Sequence, residues 1–210
     1  MPPYFKQETN HTCSLAVLRS VLTAKGILVS EKELVDKVIS DYGVNFKNLW
    51  NPTIAKLARR YGIATEMYAE WPLFKEENLA TALEEFRSDP SVMDISKYES
   101  PNDTDYTPEP LPLAYSEMFS AIELGCSVVY GKLSEENLTQ FIKAGKLIQT
   151  TIHTKKLYPE ARSSYHSLLI YALDGDSVRY HDPARQAAMS CTIVTLLKAT
   201  NSTGAFMVFS

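Results

Sequence analysis

Two short segments far apart in the chain carry side chains that together could perform nucleophilic acyl chemistry. The first contains Gln7 and, six residues later, Cys13. The second contains His166, and Asp182 follows it along the chain. A thiolate nucleophile needs a base, the base needs a group that orients it, and the oxyanion that forms needs a hydrogen-bond donor. The sequence therefore predicts a site built from one residue for each of these roles.

Cys13 opens a segment with helical periodicity. The apolar residues Leu15, Leu18 and Leu22 recur at helical spacing after it, and Gly26 is a natural stop. At the start of a helix, the macrodipole and the free N–H groups favour a thiolate. A cysteine in this position also serves as a small core residue, so the position by itself does not decide between the two interpretations.

His166 and Asp182 can meet only if they lie on the same face of two neighbouring strands. Side chains alternate between the faces of a strand, so the connecting loop must have an odd number of residues. Residues 174–176 (Asp-Gly-Asp) predict a three-residue loop with glycine available for the left-handed position. Leu168 would then oppose Asp182, whereas a two-residue turn would separate the pair. Taken separately, a hydrogen-bonded core histidine and a turn aspartate before Pro183 explain both residues equally well.

The elements that must position these residues fall into two halves. Helical periodicity predicts helices at 13–25, 52–61, 76–87, 115–124 and 135–144. It also predicts a helix that begins at the capping box of Ser30 and Glu33 and carries apolar residues as far as Ile39. The period of two predicts strands at 63–68, 147–153, 165–173, 177–182 and 205–209, and 192–199 is interpreted as a helix. Helices followed by antiparallel strands are typical of the α+β class.

Composition limits the classes of protein. The 210 residues are 45% hydrophobic and 22% charged, which predicts one globular domain over 1–210. Residues 88–112 hold five prolines and are predicted to be a loop excursion. The net charge of −4 argues against a nucleic-acid partner, and no apolar run reaches the roughly 20 residues of a membrane span. Residues 1–7 lack the features of a signal peptide, so a cytoplasmic location is expected.

Patterns that bind cofactors or metals are absent from the sequence. It has no glycine-rich phosphate loop and no histidine pair at ligand spacing, so neither a cofactor nor a metal is expected. Three cysteines without short spacing do not predict a disulfide framework. Cys126 and Cys191 lie in apolar runs, which predicts buried, inert thiols.

The order of cysteine, histidine and aspartate, with a glutamine upstream, resembles the papain-like cysteine peptidase superfamily. The local sequences are most similar to the bacteriocin-processing (double-glycine leader) peptidases and their stand-alone relatives, at residues 13–18, 166–170 and 178–183. The resemblance implies a helical lobe packed on a C-terminal twisted antiparallel sheet. It also implies that Cys13 is the nucleophile, His166 its base, Asp182 the orienting residue and Gln7 the oxyanion donor.

Two features depart from that family. Ser14 follows the cysteine where the family usually has glycine, and the chain has no transporter or ATPase, so leader export is not implied. The function expected is a thiol-dependent hydrolase that cleaves a peptide or amide bond through a Cys13 acyl-enzyme. An acyl or amide transferase, a cysteine toxin or deamidase, and a non-catalytic peptide-binding domain remain alternatives. The expected partner is a peptide or other acyl substrate; acidic residues in 88–112 fit either a cover that favours a basic substrate or a solvated loop.

Overall fold

The computed structural model describes residues 1–42, 49, 51–89, 111–200 and 204–210, with the backbone alone for 42 and 111–115. The excursion predicted at 88–112 lies, except for its ends, outside the described residues. Of those ends, Ser88 closes a helix and residues 111 and 112 already belong to the next one. None of the helices in the described ranges is long and apolar enough to cross a bilayer.

The predicted helices are present, with shifts of a few residues at their ends. They are α1 Cys13–Ala24, α2 Glu31–Tyr42, α3 Asn51–Arg60, α4 Glu76–Ser88, α5 Leu111–Glu123, α6 Glu135–Lys143, the four-residue α7 Thr154–Leu157 and α8 Ile193–Ala199. A 3₁₀ turn, Pro72–Phe74, precedes α4. The largest difference is α5, which begins four residues before its predicted start at 115. The short α7 has no counterpart in the prediction.

Side-chain caps explain where two of these helices begin. At α2 the Glu33 N–H donates to Ser30 Oγ over 3.1 Å, and the Ser30 N–H donates to Glu33 Oε2 over 2.7 Å. This is the predicted capping box. At α6 Ser134 and Asn137 make the same reciprocal pair, with asparagine in place of the usual glutamate. Each box satisfies backbone N–H groups that have no carbonyl partner within the helix.

The strands form one seven-stranded sheet in the order β2-β1-β7-β3-β4-β5-β6. They are β1 Thr65–Ala69, β2 Ser127–Tyr130, β3 Leu147–His153, β4 Tyr165–Asp174, β5 Ser177–His181, β6 Met189–Thr192 and β7 Phe206–Phe209. The pair β1–β2 is parallel and the other pairs are antiparallel. The sequence did not predict the four-residue edge strands β2 and β6, because so short a segment shows little periodicity. The sheet thus includes two strands from the helical half.

The connection between β4 and β5 differs from its prediction. Asp174 pairs directly with Ser177, so the loop is a two-residue turn, in which Gly175 has a φ of 56°. The predicted three-residue loop is therefore wrong. This turn alone would place His166 and Asp182 on opposite faces of the sheet.

A β-bulge in β4 compensates for the shorter turn. The register shifts between Ile170 and Ala172, which makes Tyr171 an extra residue in β4. Beyond the bulge, Leu169 pairs with His181. The shorter turn and the extra residue each move the pairing by one position, and the two shifts cancel. His166 and Asp182 therefore share a face, as predicted, but for a different physical reason.

The sheet is buried on both faces, and α1 lies at the centre of one of them. In β4, Leu169 packs into the cluster formed by α1 to α5, whereas Leu168 and Ile170 pack into the cluster with α6 and α8. Helix α1 packs directly on β4 and β3. Its residues from Ser14 to Leu18 are all buried, so the packing determines where Cys13, at the start of the helix, must lie.

Leu18→Ala tests the dependence of the fold on this helix. Leu18 is fully buried, and truncation of a buried leucine to alanine costs about 2–5 kcal/mol in the free energy of unfolding. Urea denaturation of the variant should show a loss within that range. Leu28→Ala is the matched control, since Leu28 is 83% exposed and its truncation should change the free energy of unfolding by less than about 0.5 kcal/mol. Equal losses in the two variants would contradict this assignment.

Candidate active site

A buried pair of serines joins the two segments that carry the candidate nucleophile and base. Ser14 Oγ lies 2.8 Å from Ser167 Oγ, and both side chains are buried. Cys13 immediately precedes one serine in α1, and His166 immediately precedes the other in β4. The residue that departs from the family's usual glycine is therefore part of the contact between helix and strand.

Cys13, His166 and Asp182 lie in contact in that order. The Cys13 thiol lies close enough to the His166 side chain for the imidazole to influence its pKa. His166 Nε2 lies 2.7 Å from Asp182 Oδ1, which leaves Nδ1 to face the thiol. Asp182 is 1% exposed and His166 9% exposed, whereas Cys13 is only partly buried and remains accessible from the cleft. A fixed carboxylate on one ring nitrogen sets the tautomer and the orientation of the imidazole.

The electrostatics of the pair favour a thiolate and an imidazolium. Burial acts to raise the pKa of Cys13, but the hydrogen bond and the charge of His166 outweigh it, helped by the Ser167 backbone and Ser14, and the pKa lies below its ordinary value. Burial acts to lower the pKa of His166, but Asp182 and Cys13 outweigh it and raise that pKa to about 9. At neutral pH the His166 imidazole is therefore protonated, and its charge favours the thiolate beside it.

Asp182 is a buried carboxylate with several hydrogen-bond donors. Besides His166, the Ala184 N–H donates to Oδ1 over 2.9 Å and the Tyr158 hydroxyl donates to Oδ2 over 2.7 Å. Burial acts to raise the pKa of Asp182, but these hydrogen bonds and the charge of His166 hold it below its ordinary value. Arg185 stacks on the Tyr158 ring with 3.8 Å between the guanidinium carbon and the ring centroid. Sequence patterns gave no sign of Tyr158, because α7 has only four residues and the contact spans 24 positions.

Gln7 lies in the same cleft as Cys13. Its Nε2 donates to the Thr9 carbonyl over 2.7 Å, which orients the amide, and its Oε1 has no hydrogen-bond partner among the described residues. The Gln7 backbone N–H donates to the Pro183 carbonyl over 3.0 Å. That bond ties the segment before α1 to the residue that follows Asp182.

Backbone N–H groups face the cleft at the start of α1. The first hydrogen bond of the helix runs from the Ala16 N–H to the Thr12 carbonyl, and Thr12 makes no side-chain cap. The first N–H groups of a helix have no carbonyl partner within it. The Cys13 N–H therefore belongs to a local field that favours negative charge beside the thiol.

The remaining histidines and cysteines lie away from this contact network. His181 Nε2 donates to the Pro2 carbonyl over 2.9 Å and is buried on the side away from Asp182, as the strand alternation predicts. Cys126 is buried, and burial raises its pKa to about 12. Cys191 is only partly buried, which corrects the expectation of a fully buried thiol, and burial raises its pKa to about 11. In the described ranges, no three His, Cys, Asp or Glu side chains cluster in a way that could hold a metal ion.

Tyr158→Phe tests the hydrogen bond to Asp182. Loss of a hydrogen bond to a charged group costs about 1.5–3 kcal/mol, so the free energy of unfolding at pH 7 should fall by that amount. Because the pKa of Asp182 lies below its unfolded value, this loss is complete at neutral pH and disappears as the pH falls below about 4. Urea denaturation over that pH range measures it.

Tyr180→Phe is the matched control for this experiment. The Tyr180 hydroxyl lies 3.2 Å from the Tyr158 hydroxyl and makes no hydrogen bond to Asp182. Its loss should be smaller and independent of pH. If the loss in Tyr158→Phe were also independent of pH, the tyrosine would contribute packing alone.

Comparison with solved structures gives nine significantly similar chains. One is a Bacillus anthracis protein that carries the provisional name of a C39-like peptidase. It has 12% sequence identity with this chain, covers 99% of this chain and 94% of its own, and has a TM-score of 0.53. At that identity the likeness shows a shared fold, and the predicted α+β class is confirmed.

Comparison at the level of sequence agrees. No curated protein matches the chain significantly. The model of the Peptidase_C39 like family matches residues 2–199, which is nearly the whole chain and includes the long segment between the motifs at 13–18 and 166–170. The resemblance drawn from those motifs is confirmed, and the chain belongs to the Peptidase_C39 like family.

Proposed function

We propose that the protein is a cysteine peptidase that cleaves a peptide or amide bond through an acyl-enzyme on Cys13. The observation that carries the proposal is the continuous contact from the Cys13 thiol through His166 to Asp182, with the pKa of the thiol lowered and that of the imidazole raised. Two other cysteines of the chain have raised pKa values, so activation of the thiol is confined to the cleft. Family membership supports peptidase chemistry at this site.

The proposed reaction begins with attack of the Cys13 thiolate on the substrate carbonyl carbon. A C–S bond forms and the carbonyl electron pair moves to oxygen, where Gln7 Nε2 and the Cys13 N–H would donate hydrogen bonds. Collapse of this tetrahedral species breaks the C–N bond, and the leaving amine takes the proton of His166. Water then gives a proton to His166 and its oxygen attacks the thioester, which releases the acid and restores the thiolate.

The pKa values give the direction of the pH dependence. Acylation needs the thiolate together with protonated His166. Since the pKa of His166 is raised to about 9, the acid that protonates the leaving amine is present at neutral pH and is lost as the pH rises through about 9. Peptide hydrolysis should therefore fall above that pH, whereas alkylation of the thiolate, which needs no acid, should not.

Alkylation of Cys13 tests the thiolate directly. Cys13 should react with iodoacetamide at about pH 6, where ordinary thiols with a pKa near 8.5 are almost entirely protonated. His166→Ala removes the largest influence that lowers the thiol pKa, so the rate profile should shift upward to that of an ordinary thiol. Mass spectrometry of peptides that contain each cysteine measures the three rates in one sample.

The chain contains its own controls for that experiment. Cys126 and Cys191 should react slowly at neutral pH, because burial raises both pKa values. His11→Ala removes another histidine that lines the cleft and should leave the Cys13 profile unchanged. If Cys13 titrated like the other two thiols in the unaltered protein, the peptidase proposal would fail and a peptide-binding role would replace it.

Gln7→Ala tests the oxyanion donor. Removal of one such donor typically lowers the turnover rate by about 10²–10³, and the alkylation profile of Cys13 should stay as it is, because the thiolate does not depend on this amide. Turnover of a fluorogenic peptide-library substrate measures the first effect and mass spectrometry the second. Asn10→Ala, an exposed amide in the same cleft, is the control. Unchanged turnover in Gln7→Ala would remove Gln7 from the mechanism.

A further inference from the structure

The cleft beside Cys13 has two chemically different walls. It encloses about 750 Å³. One wall is apolar and comes from β1, the 3₁₀ turn and β7, with Met67, Trp71, Phe74 and Phe206. The other wall comes from the loop between α7 and β4, at Tyr158 and residues 161–164, which is polar and begins beside Asp182. A substrate that lies across Cys13 would contact both walls.

The charges on the described lining of this cleft are unbalanced. Asp182 is the only carboxylate among the described lining residues, and it is 1% exposed and occupied by His166 and Tyr158. Two arginines, Arg162 and Arg185, line the same space. Because the thiolate of Cys13 is offset by the imidazolium of His166, the surplus charge that a substrate meets in this part of the cleft is positive.

Arg185 supplies little of that surplus. Its guanidinium lies 3.0 Å from Glu160 Oε1 and 3.9 Å from Asp182 Oδ2, and it stacks on the ring of Tyr158. Two carboxylates already face it. Arg185 thus supports the Tyr158–Asp182 contact and offsets the charge of the buried carboxylate.

Arg162 differs from Arg185, since no carboxylate among the described residues pairs with it. It is exposed, and it lines the cleft. Its backbone is nevertheless held in place: the Arg162 carbonyl accepts a hydrogen bond from Thr154 Oγ1, and the Ser164 N–H donates to the same hydroxyl over 3.0 Å. The Ala161 N–H donates to the Tyr158 carbonyl over 2.9 Å. These bonds hold the backbone of Arg162 in place at the cleft, and its side chain extends from that position.

We infer that Arg162 makes the cleft selective for an acidic acyl substrate, a peptide with an aspartate or glutamate close to the bond that is cleaved. This inference rests on the proposed peptidase function and adds the substrate class. A guanidinium pairs with a carboxylate through two parallel hydrogen bonds, which gives orientation as well as attraction. The apolar wall would hold a neighbouring hydrophobic side chain. The inference is opposite in sign to the basic substrate considered from residues 88–112, which lie mostly outside the described residues.

Two alkylating reagents of similar size measure this charge without a known substrate. Iodoacetate is anionic and iodoacetamide is neutral, and both alkylate the Cys13 thiolate. The ratio of their rates at Cys13 reports the local potential in the cleft. Arg162→Gln should lower the iodoacetate-to-iodoacetamide ratio by about three- to tenfold at low ionic strength, and Arg162→Glu should lower it further. Added salt should shrink the difference between the variants and the unaltered protein, because a charge on the rim is screened.

Arg179→Gln is the matched control. Arg179 is also exposed, lies on β5 in an ion pair with Asp174, and lines a separate cavity whose described lining does not include Cys13. Its replacement makes the same change in net charge and should leave the ratio as it is. If Arg162→Gln left the ratio unchanged, or if Arg179→Gln lowered it equally, the inference would be overturned while the peptidase proposal stood. If neither reagent reacted preferentially with Cys13 in the unaltered protein, both would be overturned.

Peptides provide the confirming measurement. A pair of substrates that differ only by glutamate or lysine next to the cleaved bond should show a lower KM for the glutamate peptide. Arg162→Glu should reverse that preference, with kcat for the better substrate nearly unchanged because the arginine does not contact the reacting atoms. Equal KM values for the two peptides in the unaltered protein would overturn the inference.

Discussion

The burial of the Asp182 carboxylate is the constraint on which the rest of the site depends. An ionised carboxylate that is 1% exposed is very unfavourable unless hydrogen-bond donors surround it. The donors come from three parts of the chain: His166 on β4, Tyr158 at the end of α7, and the backbone of Ala184 in the following turn. The carboxylate thereby holds the loop before β4 and the turn after β5 against each other. The same charge raises the pKa of the His166 imidazole, which in turn lowers the pKa of the Cys13 thiol.

The second requirement is that a helix and a strand far apart in sequence meet at their ends. The apolar face of α1 packs on β4, and the pair Ser14–Ser167 joins them next to the reacting groups. A pair of hydroxyls in a buried position satisfies each other, which avoids the cost of an unpaired polar group. Ser14, which stands where the family usually has glycine, therefore fits into this buried contact because Ser167 supplies its hydrogen-bond partner. The thiol consequently lies at a helix start and beside an imidazolium, and both features favour its ionised form.

A cleft with an apolar wall and a basic rim follows from the same arrangement. The apolar wall belongs to segments that also pack on the core, so a partly buried aromatic side chain such as Trp71 serves both. The basic rim comes from two loops. Arg185, between β5 and β6, offsets buried charge, whereas Arg162, between α7 and β4, has no carboxylate partner among the described residues. Arg185 supports the buried pair of His166 and Asp182, and the inferred role of Arg162 is the discrimination of substrates. Such a division lets specificity change without disturbing the thiolate.

The sequence by itself determined the residue types of the site, most helices and the α+β class, because helix caps, hydrophobic period and motif order are local properties. It did not determine the register that brings the residues together: a two-residue turn and a bulge at Tyr171 replaced the predicted three-residue loop, and either change alone would have separated His166 from Asp182. The edge strands β2 and β6, the hydroxyl of Tyr158 and the partial exposure of Cys191 were likewise decided by tertiary structure. The physical reason is that strand pairing and the satisfaction of a buried charge depend on partners distant in sequence, which no local pattern records.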